Sequence, residues 1–111
     1  MAIKDLTKIK KHVFLCNGGS CTQQGANESI AAIRESIKSF GLQDQIHTTR
    51  TMCNGRCEDA PVVIIQPEGI WYKHITSKKA ESLVRSHLKE GKIMKDNFLF
   101  CHNKKNMSLD Q

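Results

Sequence analysis

The chain is organised around two short stretches, Cys16-Asn17-Gly18-Gly19-Ser20-Cys21 and Cys53-Asn54-Gly55-Arg56-Cys57. Each stretch holds two cysteines in a glycine-bearing segment, and each follows a run that is apolar or rich in β-branched residues. Thiolates are soft ligands, so four of them suit either zinc or an iron-sulfur centre. The spacing within the pairs favours neither metal over the other, because structural zinc sites tolerate comparable gaps.

Two other uses of the cysteines fit less well. A thioredoxin-type dithiol enzyme would present Cys-x-x-Cys, which the sequence lacks. Structural disulfides are disfavoured, because the charged N-terminus is not a secretion signal and a cytoplasmic, reducing compartment is expected. The fifth cysteine, Cys101, is predicted to be a free thiol. The histidines show no paired spacing and are predicted to be surface or packing residues: His12, His47, His74, His87 and His102.

Outward from the cysteines, hydrophobic patterning predicts the order β-α-β-β-β-α. The first predicted helix carries Ile30, Ile33, Ile37 and Phe40 on one face and ends at Gly41. The turn at 66–69 joins the last two strands as a hairpin. The predicted strands cover 12–15, 45–51, 62–65 and 70–75, and the predicted helices cover 26–40 and the segment from Thr76 or Ser77 to Gly91. These elements form an α/β sandwich with a four-stranded mixed sheet and two helices.

The 111 residues divide into one domain with extensions at both ends. Residues 1–10 form a polar, basic leader, residues 11–91 form the domain, and residues 92–111 form a C-terminal arm with a mobile tail. Apolar residues between 93 and 100 favour an arm that lies across the body or into another subunit.

Charge and composition limit the classes of partner. The formal net charge is +6, and lysines concentrate at the two ends of the chain: Lys4, Lys8, Lys10, Lys11, Lys104 and Lys105. A basic surface attracts nucleic acid or an acidic protein. Nucleic acid is not expected as a partner, because the basic stretches lack interleaved aromatic residues. A membrane is not expected either, because no apolar run is long enough to span one.

The sequence resembles one known family, the thioredoxin-like [2Fe-2S] ferredoxins, which are similar to the small [2Fe-2S] subunit of the NADH-oxidising module of respiratory complex I. The resemblance rests on Cys16-x4-Cys21, on Cys53-x3-Cys57, and on the run Cys53-Asn54-Gly55-Arg56-Cys57-Glu58-Asp59-Ala60-Pro61 before an apolar strand. The hairpin around Gly69 and the helix that ends at Gly91 also match, so the resemblance covers about residues 11–91.

The resemblance implies a thioredoxin-like fold and a [2Fe-2S] cluster. It assigns Cys16 and Cys21 to one iron, and Cys53 and Cys57 to the other. It further implies a cis peptide between Ala60 and Pro61, and a homodimer as one form of assembly. The basic leader, the C-terminal arm and Cys101 depart from the family pattern.

No catalytic apparatus is visible, since the sequence offers neither a Ser-His-Asp set nor a phosphate-binding loop. The sequence therefore predicts a one-electron carrier rather than an enzyme, with a redox partner protein whose identity it does not give. Arg56, between two predicted ligands, is a candidate contact for an acidic partner. The alternative function is a structural four-cysteine zinc module that binds other proteins.

Overall fold

The computed structural model describes residues 5–102, without the side chain of Cys57. The predicted leader and tail therefore lie partly outside the described residues, as do Lys4, Lys104 and Lys105. The described residues form five strands and three helices. The strands are β1 (Lys11–Cys16), β2 (Ile46–Thr51), β3 (Val63–Gln66), β4 (Ile70–Tyr72) and β5 (Phe98–Cys101). The helices are α1 (Gly19–Gln23), α2 (Ala26–Ser39) and α3 (Ser77–Leu83), and α3 continues as a π-helix over Val84–Lys89.

The five strands make one mixed sheet in the order β2-β1-β3-β4-β5. β1 and β2 run parallel, and the other neighbouring strands are antiparallel. The α/β class with a mixed sheet is confirmed. The predicted count of four strands is wrong, because β5 adds a fifth strand beside β4.

The missing strand comes from the segment that the sequence analysis assigned to an arm. Trp71 of β4 pairs with Phe100 of β5, and Ile70 pairs with Cys101. A short apolar run such as Phe98-Leu99-Phe100 does not show the alternation that identifies a half-buried strand, so its periodicity could not distinguish a strand from an arm. The segment is a strand because it pairs with β4.

The core lies between the sheet and the two longer helices. α2 buries Ile30, Ile33 and Ile37, as predicted, and Phe40 packs against them while partly exposed. The predicted inward face of the second long helix is also confirmed, since all four of its apolar residues are buried: Ala80, Leu83, Val84 and Leu88. Burial of these faces is the main favourable term that holds helices on a sheet.

Each of the two long helical segments ends just before a glycine. Gly41 and Gly91 have positive φ angles of 70° and 73° and stand just beyond the last helical turns, where glycine adopts the left-handed conformation without strain. Thr76 occupies the N-cap position of α3 as predicted, but its side chain makes no capping hydrogen bond within the part of the chain that the structure describes. None of the helices in that part is long and apolar enough to cross a membrane.

A chain of hydrogen bonds crosses the core near the β3–β4 turn. The backbone N–H of Met94 donates to the Tyr72 hydroxyl (3.1 Å), which lies 2.7 Å from His87 Nδ1. His87 Nε2 lies 2.9 Å from Glu68 Oε2, and the Lys11 ammonium pairs with the same oxygen. The chain ties the turn, β1, β4 and the end of the last helix together.

Candidate metal centre

Two strand ends bring the cysteine segments together. Cys16 is the last residue of β1 and pairs in register with Thr51, the last residue of the parallel strand β2. The ends of neighbouring parallel strands meet at one edge of a sheet, so the segment after β1 and the segment after β2 start side by side. Both cysteine segments therefore begin at the same end of the sheet.

Three of the four predicted ligands line one pocket. Cys16 and Cys21 are buried there and Cys53 is exposed at its rim, together with Gly18, Asn54 and other residues. Cys21 belongs to the short helix α1, which was not among the predicted helices. The backbone of Cys57 begins a 3₁₀ turn, Cys57–Asp59, and its side chain is outside the description. Shortly after this turn, the peptide bond between Ala60 and Pro61 is cis, as the resemblance implied.

Gly18 explains how closely the two segments approach each other. A Cβ atom at this position would lie 2.9 Å from both the Cα and the backbone nitrogen of Cys53. Real Cβ atoms do not approach backbone that closely, so only glycine allows this contact. Gly19 differs, because a Cβ there would meet no atom within 4 Å. The structure thus gives a steric reason for glycine at position 18 and none at position 19.

Backbone N–H groups point at the sulfur atoms. The N–H of Gly55 donates to Cys53 Sγ over 3.3 Å. Hydrogen bonds from the backbone of Gly18 and Asn54 act to lower the pKa of Cys16, and one from the backbone of Val62 acts in the same direction on the pKa of Cys21. Donors of this kind favour thiolate over thiol, since they are strongest to a charged acceptor.

The buried thiols of Cys16 and Cys21 differ in the direction in which their pKa values are shifted. Burial would raise the pKa of the Cys16 thiol, but hydrogen bonds from Cys21, Gly18 and Asn54 hold it below its ordinary value. Burial, together with the neighbouring Cys16 sulfur, raises the pKa of Cys21 to about 12. A bound cation would release the remaining proton, because both sulfurs must be thiolates to act as ligands. The donor set thus fits a soft, positively charged group.

The remaining candidates lie elsewhere. Cys101 is buried in the core on the helix-covered side of the sheet. His87 is bound by Tyr72 and Glu68, and His12 lies 2.7 Å from the Thr49 hydroxyl. Among the side chains described, which exclude that of Cys57, no three His, Cys, Asp or Glu form a group that could hold a metal ion. Ligation by all four cysteines therefore remains a proposal.

Comparison with known proteins identifies the family. The model of the thioredoxin-like [2Fe-2S] ferredoxins matches residues 3–88. The chain belongs to this family. Membership makes it an iron-sulfur electron carrier with a [2Fe-2S] cluster as cofactor.

Individual relatives agree. The chain is 44% identical to a protein of Priestia megaterium whose name assigns it to the 2Fe-2S ferredoxins, over 91% of this chain and 79% of the relative. It is 32% identical to a 2Fe-2S ferredoxin of Clostridium pasteurianum, over 78% of this chain and 92% of that protein. A solved thioredoxin-like [2Fe-2S] ferredoxin of Aquifex aeolicus superposes with a TM-score of 0.81 at 30% identity, over 89% of this chain and 98% of that one. The predicted thioredoxin-like fold is confirmed.

Sequence reasoning missed the residues that surround the sulfurs. Asn54 lines the pocket, and the Val62 carbonyl accepts the backbone N–H of Cys16 (3.1 Å), both from outside the Cys-x4-Cys segment. The sequence offers one indication that these residues lie near the cysteines. Asn54 directly follows a predicted ligand, and Val62 follows the Ala60–Pro61 pair. That indication alone does not distinguish a sulfur contact from an ordinary turn.

Proposed function

We propose that the protein carries one electron at a time on a single [2Fe-2S] cluster held by Cys16, Cys21, Cys53 and Cys57, two cysteines to each iron. The observation that carries this assignment is the contact between the two cysteine segments at Gly18 and Cys53. That contact brings segments more than thirty residues apart in sequence around one pocket. A cluster with two irons needs two pairs of thiolates in such an arrangement.

The cluster, when bound, supplies reversible uptake and release of a single electron. The protein contributes ligands, shielding and hydrogen bonds. Burial of Cys16 and Cys21 keeps water from their side of the pocket, while exposed Cys53 marks the side open to solvent. Reduction of a bound cluster would add negative charge, which the N–H groups of Gly18, Asn54, Gly55 and Val62 would stabilise on the sulfur atoms.

A redox partner protein is part of the proposal, since an electron carrier has to meet a donor and an acceptor. The accessible rim of the pocket includes Cys53, and the preceding residue, Met52, is 80% exposed. Arg56 lines the same pocket and also an adjoining apolar groove with Trp71 and Phe100. We propose this rim as the surface that the partner approaches.

Serine substitutions test the ligand assignment. We expect Cys16→Ser, Cys21→Ser, Cys53→Ser and Cys57→Ser each to lose most of the bound iron and sulfide, because an alcohol is a poor ligand for the cluster. Cys101→Ser is the matched control and should keep both, since Cys101 lies in the core away from the pocket. The measurements are visible absorbance and the content of iron, sulfide and zinc in anaerobically purified protein.

Two results would contradict the proposal. A colourless wild-type protein with about one zinc per chain would establish the zinc module instead. Loss of the cluster in Cys101→Ser, with retention in Cys57→Ser, would reverse the assignment of those two residues.

A further inference from the structure

An apolar groove lies beside the cysteine pocket. Its lining residues come from β4, from β5 with the residue after it, and from the second cysteine segment: Arg56, Trp71, Leu99, Phe100 and His102. Its volume is about 420 Å³, within the range of pockets that accept small-molecule ligands. An aromatic or aliphatic side chain of another protein therefore fits inside it. Arg56 also lines the cysteine pocket, so the two sites adjoin.

The groove lies on the face of the sheet that the long helices leave uncovered. Trp71 pairs with Ile64 of β3 and with Phe100 of β5, and directly paired residues of neighbouring strands have their side chains on the same face. Ile64 and Trp71 pack together with Cys16 and Cys21, whereas the helices α2 and α3 pack against the other face. Phe100 is 44% exposed. An apolar surface that opens to solvent beside a charged residue is typical of an interaction site.

Ring and backbone contacts hold one wall of the groove in place. The backbone N–H of His102 donates to the carbonyl oxygen of Gly69 over 2.9 Å. The His102 ring stands edge-on to Phe100, with centroids 4.9 Å apart, and lies 6.1 Å from the centre of the Trp71 ring. A groove whose walls are already ordered costs less conformational entropy when it is filled.

The charges around the groove favour an acidic occupant. Arg56 is held by its ion pair with Asp59, yet 51% of the arginine side chain remains exposed, against 13% for the aspartate. Among the described residues that line the groove, none carries a carboxylate. A carboxylate on the occupant could therefore pair with the guanidinium without meeting a like charge in the lining.

We propose that this groove anchors the redox partner, by taking in one apolar side chain of the partner while Arg56 pairs with a carboxylate next to that side chain. The proposal rests on the proposed function, in which a partner approaches the rim of the cysteine pocket. Tryptophan and arginine are enriched among the few interface residues that carry most of the binding energy. Both are present here, and an anchored partner lies next to the cysteines, where the electron is exchanged.

Two acidic peptides, blocked at both ends, test the groove. Asp-Glu-Phe-Glu-Asp and Asp-Glu-Ala-Glu-Asp carry the same charge and differ only in the apolar side chain. Trp71 is the single tryptophan of the chain, so its fluorescence reports occupation of the groove in the cluster-loaded protein. We expect the phenylalanine peptide to bind about tenfold more tightly than the alanine peptide, as an anchoring side chain does.

Variants locate the binding on the protein. Phe100→Ser should weaken binding of the phenylalanine peptide about tenfold, and Leu6→Ser is its control, since Leu6 is also exposed (74%) and does not line the groove. Arg56→Gln should weaken binding of both peptides about two- to fivefold, the usual range for an exposed ion pair. Arg85→Gln, which removes the same charge elsewhere, should leave binding unchanged.

The phenylalanine peptide should also slow reduction of the cluster by a strongly acidic flavoprotein, used as a surrogate donor. It should not slow reduction by dithionite, a small reductant that needs no docking surface. An unchanged rate with the flavoprotein, at a peptide concentration that fills the groove, would overturn the proposal.

Other results would overturn it as well. One is equal affinity for the two peptides, and another is an equal effect of Phe100→Ser and Leu6→Ser. A wild-type dimer that Phe100→Ser converts to a monomer in sedimentation equilibrium would assign the groove to a second copy. A tenfold gain in peptide affinity in Leu109→Ser would assign it to the C-terminal residues of the same chain. Failure of the proposed function has a separate signature, which is a colourless wild-type protein whatever the peptides do.

Discussion

At the scale of single residues, Gly18 decides whether the two cysteine segments can touch. Its φ and ψ of −71° and 178° are extended backbone that any residue adopts, so alanine would meet no conformational strain there. The obstacle is steric, because the new Cβ would lie 2.9 Å from the Cys53 backbone. The segments would have to separate, at a cost of about 1–3 kcal/mol, the usual range for overpacking a close contact.

Gly18→Ala should therefore reduce cluster content and thermal stability together. Gly19→Ala is the matched control, because its Cβ would meet no atom within 4 Å. The measurements are iron and sulfide per chain and the melting temperature of the purified proteins. Equal cluster content and equal melting temperatures in the two variants would show that the close approach at Gly18 has no role in assembly.

The four candidate ligands could be proposed from sequence because cysteine chemistry is specific and the pairs are conspicuous. Asn54 could not, since Asn-Gly after any residue is also an ordinary turn sequence. Its place in the pocket that Cys16 also lines depends on the parallel register of β1 and β2, which places the two segments side by side. Contacts between segments distant in sequence follow from tertiary structure and carry no local pattern.

At the scale of elements, the strongly patterned segments were predictable and the short ones were not. The helix face of Ile30, Ile33 and Ile37, and the hairpin around Pro67 and Gly69, followed from periodicity and turn chemistry. α1 is only five residues long and starts with glycine and serine, so its propensity is weak. The π-helix over Val84–Lys89 also has no propensity signal, and the neighbouring polar chain at His87 is formed only in the folded molecule.

Glu68 connects several elements, and its removal tests that role. Burial would raise its pKa, but hydrogen bonds from His87 and Lys11 lower the pKa to about 2. The ionised carboxylate is therefore favoured in the folded protein. Its contribution to stability is complete above the pKa of an unfolded glutamate, about 4.3, and is lost as pH falls through about 2.

Glu68→Gln should lower the free energy of unfolding by about 1.5–3 kcal/mol, the range for hydrogen bonds to a charged group. The loss should be equal at pH 6 and pH 8, because the titration of Glu68 lies well below both values. Urea denaturation of the cluster-loaded proteins measures it. Glu35→Gln, at an exposed position of α2, should change stability little. A loss that disappears at either pH would contradict this assignment of the stabilising group.

At the scale of the whole molecule, charge and the position of the pocket determine how a partner approaches. The chain carries a formal net charge of +6, while the exposed Glu58 directly follows the second cysteine segment. Arg56 stands on the rim of the pocket, with its Nε and a terminal nitrogen 2.8 Å and 2.7 Å from Asp59 Oδ2. The pair fixes the guanidinium beside the cysteines and leaves half of the side chain exposed. An acidic partner would therefore meet a positioned positive group next to the site of electron exchange.

Arg56→Glu should slow reduction of the cluster at low salt, with an unchanged visible spectrum. The matched control is Arg85→Glu, which makes the same change in net charge at a side chain of similar exposure, 55% against 51% for Arg56. Arg85 lies on the last helix, paired with Glu81, so a partner at the pocket would not contact it. The measurement is the stopped-flow rate at which a strongly acidic flavoprotein, used as a surrogate donor, reduces each protein.

High salt should bring the Arg56→Glu rate back to that of wild type, because screening removes the attraction between exposed charges. The comparison of the two variants then separates the effect of a charge contact at the pocket rim from the effect of the net charge of the protein. Equal slowing of both at low salt would mean that the net charge of +6 steers the encounter and that no contact forms at the pocket rim. Slowing of Arg56→Glu alone would place the acidic partner at the rim, since only a local contact distinguishes two arginines of the same charge and exposure. A wild-type rate in both would make Arg56 an ordinary surface residue.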